Sequence, residues 1–141
     1  MTRDDAVRLF AEHQADWNAR DASALARRHA PDGIVVSPIF RTVQGFEEIL
    51  GTYRSLFTIF PDWRYIGQEP MVDGNRLAQP FLVHGTHSAE FMGLPGSGRK
   101  VEIEGVRVFE MKDGLIAYER RYYDFTGFLI QLGVLRSKPA R

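Results

Sequence analysis

Residues 100–133 read KVEIEGVRVFEMKDGLIAYERRYYDFTGFLIQLG. Two runs rich in valine, isoleucine and tyrosine flank Asp113-Gly114, and the second passes into a short apolar segment closed by Gly133. This is the pattern of strand, tight turn, strand and a glycine-stopped helix. The strands are expected at about Lys100–Met111 and Leu115–Tyr123. The turn length sets which side chains are neighbours. A two-residue loop pairs Lys112 with Leu115 and sets Arg107 against Arg120. A three-residue loop, with Gly114 left-handed in a bulge, pairs Met111 with Leu115 and sets Arg107 against Glu119. Opposite charges are favoured across a strand pair and like charges are not, so the three-residue register is expected. One face then carries Ile103, Gly105, Arg107, Phe109 and Met111 with Leu115, Ala117, Glu119, Arg121 and Tyr123. The other carries Val106 and Val108 with Tyr118, Arg120, Tyr122 and Asp124. In this register no carboxylate faces Arg121.

Working back along the chain, His84 and Gly85 end another strand, Arg76–His87. It follows Asp73-Gly74, a hairpin signal, and a strand of about Trp63–Val72. Pro80 argues for an edge position or a bulge, because it has no N–H for the ladder. Gly93-Leu94-Pro95-Gly96-Ser97-Gly98 joins strand to strand with no Lys-Ser or Lys-Thr after it, so a rim or lid loop is expected rather than a phosphate cradle. Earlier still, Phe46, Ile49, Leu50, Tyr53, Leu56, Phe57 and Phe60 hold the spacing of one helix face between Gly45 and Pro61. Ile34-Val35-Val36 reads as a strand after the break at Pro31-Asp32-Gly33. Asp21 caps a short helix, Ala22–His29. Thr2 caps the first helix, with Val7, Phe10, Gln14 and Trp17 on one stripe. The three Asp-Gly pairs share no flanking pattern and are turn chemistry, not a repeat.

Helices gathered in the first half and hairpins in the second predict an α+β fold. We expect a cone-shaped, curved antiparallel sheet with the N-terminal helices on its concave face, leaving a small-molecule cavity. The 141 residues form a single domain over 1–135, with a frayed tail at 136–141. Such a chain buries roughly two thirds of its unfolded surface, enough for a core and a pocket. Lys+Arg and Asp+Glu are both 18, so the basic excess of a nucleic-acid binder is missing. Cysteine is absent, which excludes disulfides and thiolate chemistry. No apolar run reaches ~18 residues, and the acidic, amphipathic N-terminus is unlike a signal peptide. A soluble cytoplasmic protein, independent of membranes, is expected.

The chemistry-bearing residues gather near the quoted segment. His84 and His87 are three apart on a strand and point to opposite faces, and His13 and His29 have no ligand partners in the pattern, so no metal is expected. Asp124, at the strand-to-helix junction, is a natural N-cap. Trp17, Tyr53, Phe57 and Trp63 are core residues by spacing, and one or two of them are expected to line the cavity.

The segment GTHSAEFMGLPGSGRKVEIEGVRVFEMKDG, followed by ERRYYDFTGFLIQLG, resembles the SnoaL-like polyketide cyclases. WNARDASALARRHAPDGIVVSP and YRSLFTIFPDW fit the same pattern. The family lies in the nuclear-transport-factor-2-like superfamily, with ketosteroid isomerases and limonene epoxide hydrolases as relatives. The resemblance implies a homodimer, and the outer surface of Tyr118, Tyr122, Val106 and Val108 suits one. No cofactor is expected. The resemblance also implies a pocket on the face that carries Arg107, Glu119 and Arg121, with Ile103, Phe109 and Tyr123 beside them. The family cyclases close a ring by an intramolecular aldol reaction. They use an acidic residue at the position of Arg121 and a histidine at that of Arg107, and they keep the equivalents of Asp124 and His87. Arginine is permanently protonated and cannot be the base. It can hold a carboxylate or an enolate through its forked donors. Glu119 or His87 would then move the proton. Two readings without catalysis stand beside this one: a binding protein for an anionic apolar ligand, and a structural or adaptor dimer.

Overall fold

The computed structural model describes residues 1–136 and 138, so the expected tail at 136–141 falls largely outside the described residues. Helix α1 (Arg3–Asn18) starts at Thr2, whose hydroxyl accepts the Asp5 N–H while the Asp5 carboxylate accepts that of Thr2. This reciprocal cap satisfies two donors that a helix start leaves free. The short α2 (Ala22–Arg27) is capped by Asp21. It ends before His29, which already belongs to strand β1 (His29–Ser37). Pro31-Asp32-Gly33 therefore lies inside an irregular strand and does not separate a helix from one. Strand β2 (Arg41–Gln44), too short and polar to stand out in the sequence, hairpins back on β1. Helix α3 (Phe46–Ile59) follows Gly45, whose φ of +88° is a conformation that side chains strain to adopt.

The expected strand over 63–72 is two short ones, β3 (Arg64–Gly67) and β4 (Met71–Asp73), both paired with the long β5 (Arg76–Thr86). Pro80 sits within β5, opposite Val106 of β6 (Lys100–Lys112). Its carbonyl accepts the Gln68 N–H, so its ring nitrogen faces the gap between β3 and β4, where no ladder bond is lost. Strand β7 (Leu115–Tyr123) leads into α4 (Phe125–Leu132), which Gly133 closes in the left-handed conformation.

The sheet runs β2-β1-β7-β6-β5-β3, with β4 also on β5. It is curved and unclosed, as the α+β cone requires. All pairs are antiparallel except β1 with β7, which is parallel and joins the N-terminal hairpin to the rest. Trp17, α3, α4 and the inner face of β3, β5 and β6 enclose the larger apolar cluster. A smaller one, with Phe10, Leu77, Phe109, Met111 and Ile116, lies under the first turns of α1.

The β6–β7 register differs from both sequence alternatives. Asp113 and Gly114 have φ of +53° and +78°, a two-residue turn that pairs Lys112 with Leu115. A bulge follows: Met111 faces Ile116, Glu110 faces Tyr118, and Ala117 is the extra residue. Beyond the bulge Phe109 faces Glu119 and Arg107 faces Arg121. Ile116, not Leu115 or Ala117, completes the inner face near the turn.

Candidate functional site

Two arginines directly opposite each other, inside a fold, need a shared counter-charge. Glu119 supplies it. Its Oε2 accepts Arg107 Nε at 3.0 Å and Arg121 Nε at 2.5 Å, and its Oε1 accepts Arg107 Nη2 at 3.1 Å. Arg107 is 1% exposed and Glu119 0%. No carboxylate faces Arg121 across the strands, but Glu119 reaches it from two residues away on the same face of the same strand. Two tyrosines extend the cluster. Arg121 Nη2 donates to the Tyr53 hydroxyl at 3.0 Å, and Arg107 Nη1 to the Tyr65 hydroxyl at 3.2 Å. Tyr65 in turn donates to Gln79 at 2.6 Å. Tyr53 lies 3.1 Å from His29 Nε2. His29 Nε2 is the one acceptor within reach of the Tyr53 hydroxyl among the described residues, so the O–H donates to a neutral His29.

Aromatic faces cover the cations. The Trp17 ring lies 5.4 Å from the Arg107 guanidinium and 5.5 Å from that of Arg121, and Phe109 is 4.6 Å from Arg107. Such stacking replaces part of the hydration that burial removes.

The environment decides what each group can do. Burial alone would push the Glu119 carboxyl up, but the Arg107 and Arg121 guanidiniums hold it well below the usual carboxylate range. A carboxylate so stabilised is a poor base. Burial pulls His29 down to about 4, so it is neutral at physiological pH. Burial pushes Tyr53 up to about 12, which keeps its proton.

An apolar pocket opens against this cluster. Trp17, Trp63, Ile103 and Tyr123 line it, as do Arg107 and Arg121. Its remaining wall, including Ser37, Tyr65 and Phe81, was not singled out in the sequence. Tyr65, Phe81 and Val83 alternate correctly for an inner face and could have been found by pairing β3 with β5. Tyr53 stands behind Arg121, Phe57 packs edge-on against Trp17, and Phe109 belongs to the smaller cluster, so these three support the wall without forming it. His87 is elsewhere: its Nδ1 lies 2.9 Å from Ser97 Oγ, and it pins the 88–98 loop. Asp124 caps α4 by accepting the Gly127 N–H at 2.9 Å. His84 lies on the outer face beside Glu102, at 3.7 Å.

The model of the SnoaL-like polyketide cyclases matches residues 6–132. The chain belongs to that family. Among solved structures, this SnoaL-like protein resembles AclR of Streptomyces galilaeus, a hydroxylase candidate. Identity is 24%, covering 96% of this chain and 100% of that one, with a TM-score of 0.83. A SnoaL-like polyketide cyclase candidate from Jannaschia Sp. CCS1 is 23% identical, covering 94% and 92%, with a TM-score of 0.78. IdmH, a polyketide cyclase candidate from Streptomyces antibioticus, is 28% identical, covering 88% and 95%, with a TM-score of 0.72. No curated protein matches by sequence. The three structures share this chain's fold, and the family match establishes the kinship. No helix among the described residues is long and apolar enough to cross a membrane.

Proposed function

We propose that this SnoaL-like protein takes the carbonyl end of a hydrophobic small molecule into its aromatic pocket. Arg121 then stabilises the negative charge that forms there during an aldol-type closure or an isomerisation. The observation that supports this best is the charge count at the pocket floor. Two guanidiniums share one carboxylate, which leaves one positive charge unbalanced among aromatic walls. A preorganised cation in a water-poor site favours an enolate over its neutral parent. The substrate's own C–H must then be acidic, as between two carbonyls, because Glu119 is held as a carboxylate of low basicity and His87 lies outside the pocket. Water or the ligand itself carries the proton away.

The same two facts favour a second reading, a binding protein for an anionic apolar ligand with no turnover. In either case we place the protein in the cytoplasm, as a homodimer through the Tyr118 and Tyr122 face, with no metal or cofactor in the chemistry.

Thermal shift of wild type and Arg121→Ala tests the pocket, using aromatic β-diketones, polyketide-like acids, steroid enones and terpene epoxides. At 100 times Kd a ligand adds about 2.7 kcal/mol of stability. A gain present in wild type and lost in Arg121→Ala supports both readings, and product analysis by mass spectrometry separates them. A panel without effect on wild type removes both, and a much lower melting point for the variant alone then makes Arg121 a structural partner of Glu119.

A further inference from the structure

A row of polar side chains crosses the inner face of the sheet. Gln79 on β5 pairs with Arg107 on β6, and Arg107 with Arg121 on β7. Strand β1 runs parallel to β7, with Val35 beside Glu119 and Val36 beside Arg120. One step further on, Ser37 stands beside Arg121. Val35 and Glu119 are buried on the inner face, and two residues along a strand the side chain returns to the same face. Ser37 and Arg121 therefore share the inner face, while Val36 and Arg120 belong to the outer one. Ser37 and Arg121 also line both the apolar pocket and the open groove outside it, so the row ends at the mouth of the pocket.

The donors along this row are unequally engaged. Gln79 accepts from Tyr65 and donates to the Gln68 carbonyl. Arg107 donates from all three guanidinium nitrogens. Arg121 donates from Nε to Glu119 and from Nη2 to Tyr53, and its Nη1 has no partner among the described residues. That nitrogen is not sealed from solvent. Ser37 is 6% exposed. Its Oγ accepts the Phe40 N–H at 3.2 Å, and its own proton has no acceptor among the described residues. Buried polar groups are as a rule fully paired, so a spare hydroxyl donor beside a partly engaged guanidinium marks a place built for oxygen.

We infer that Ser37 is the second donor of the site, and that it selects 1,3-dicarbonyl ligands bound as their enolates. One enolate oxygen sits on Arg121 Nη1 and the other on the Ser37 hydroxyl. This rests on the pocket reading above and adds to it a residue and a ligand class. When the C–H between two carbonyls breaks, its electron pair spreads over both oxygens and the proton passes to water. Two donors fixed on neighbouring strands meet that divided charge without having to reorient. A ketone with one carbonyl offers one oxygen, which Arg121 takes, and Ser37 gains nothing from it.

The test compares 1-(2-naphthyl)butane-1,3-dione with 1-(2-naphthyl)butan-1-one, which lacks the second carbonyl. Trp17 and Trp63, the only tryptophans of the chain, line the pocket, so their quenching gives Kd. The enolate absorbs at longer wavelength than the enol, so a pH titration of the bound dione gives its pKa. A hydrogen bond to a charged group is worth about a factor of ten or more. Wild type should therefore prefer the dione about tenfold or more, and should lower the pKa of the bound dione by about one unit or more relative to the free compound. In Ser37→Ala the preference should fall about tenfold and the bound pKa should rise, with affinity for the ketone unchanged. Ser37→Thr keeps the hydroxyl and should restore both. The variants are melted first, and if Ser37→Ala does not fold, Ser37→Cys, whose S–H is a weak donor, is measured under reductant in its place. Equal affinity of wild type for dione and ketone overturns the inference and leaves the pocket reading standing. So does a preference that is unchanged in Ser37→Ala but lost in Arg121→Ala. So does an equal loss of both compounds in Ser37→Ala, the mark of a purely structural role through Phe40. If neither compound quenches wild type, the Ser37 donor and the pocket reading both fall.

Discussion

Glu119→Gln is the substitution on which the account of the buried cluster is most exposed. In the native protein the Glu119 carboxylate accepts three guanidinium N–H bonds, at 3.0, 3.1 and 2.5 Å, from two arginines that face each other across β6 and β7. The amide has the same shape, but it brings no charge and turns one acceptor into a donor that points at a cation. Removing one partner of a buried ion pair costs about 3–5 kcal/mol, because the remaining charge is left uncompensated. Here two charges are left, so the loss should lie at the upper end of that range. For a domain of this size about 1 kcal/mol corresponds to roughly 3–5 °C in Tm. Glu119→Gln should therefore melt roughly 10–25 °C below wild type. Total stability is about 5–15 kcal/mol for domains of this kind, so the variant would remain folded only if the wild type starts well above the minimum. Urea denaturation followed by far-UV circular dichroism, with the slope unchanged, gives the free-energy difference directly. Adding Arg121→Met removes one of the two stranded cations. The double variant should recover more than ~1 kcal/mol relative to additivity, the mark of a direct interaction. A Glu119→Gln variant within ~1 kcal/mol of wild type would mean that the two arginines do not depend on this carboxylate, and the cluster described above would be wrong.

Acid should weaken the protein through His29, whose pKa in the fold, lowered by burial to about 4, lies below its unfolded value of about 6.5. The unfolded chain then binds the extra proton first, so the His29 contribution to stability falls as pH drops from about 6.5 to 4, by about 3 kcal/mol, and levels off below, where protonation of Glu119 continues the loss. His29→Gln should reduce the slope of that part of the stability–pH curve, the remainder coming from His13, which burial also lowers, and superimposable curves for variant and wild type would refute the assignment. Gly85→Ala should lower stability by about 1–3 kcal/mol, because the new methyl would lie 2.8 Å from the Trp63 ring and 3.1 Å from Phe60. Trp63 lines the pocket, so its fluorescence should shift as well, and an unchanged melting point with an unchanged spectrum would contradict the packing described.

Most of the fold was readable because its elements carry local chemistry. Thr2 and Asp21 cap helices, Gly45 and Pro61 bracket the face from Phe46 to Phe60, and two Asp-Gly pairs make hairpins. What escaped the reading was set by partners distant in sequence. Strand β2 has four residues and no apolar alternation, and it is a strand because β1 offers it an edge. His29 looks like a helix end, yet the parallel pairing with β7 draws it into the sheet. Pro80 reads as an edge residue, and the gap between β3 and β4 supplies a local edge inside a central strand.

The arginine site shows the same division between what alternation decides and what register decides. A bulge at Ala117 shifts every later pairing, so Arg107 meets Arg121 rather than Glu119 or Arg120. The expected three-residue turn and the observed two-residue turn with a bulge differ by an even number of positions along β7. Strand side chains alternate with period two, so beyond the bulge the same residues stay on the inner face under both arrangements. Ile103, Arg107, Glu119, Arg121 and Tyr123 therefore share that face in either case, while their neighbours change. The rule that like charges avoid one another across strands pointed the wrong way, because it treats pairs in isolation. Glu119 sits diagonally between the two guanidiniums, and Trp17 covers both, so the group of three is stable where the pair alone would not be. That arrangement separates the two arginines in role. Arg107 is fully enclosed and donates two bonds to Glu119, whereas Arg121 donates one and also lines the open groove outside the pocket. A ligand anion can therefore compete for Arg121 while Glu119 keeps its two bonds to Arg107, and the cluster can bind charge without coming apart.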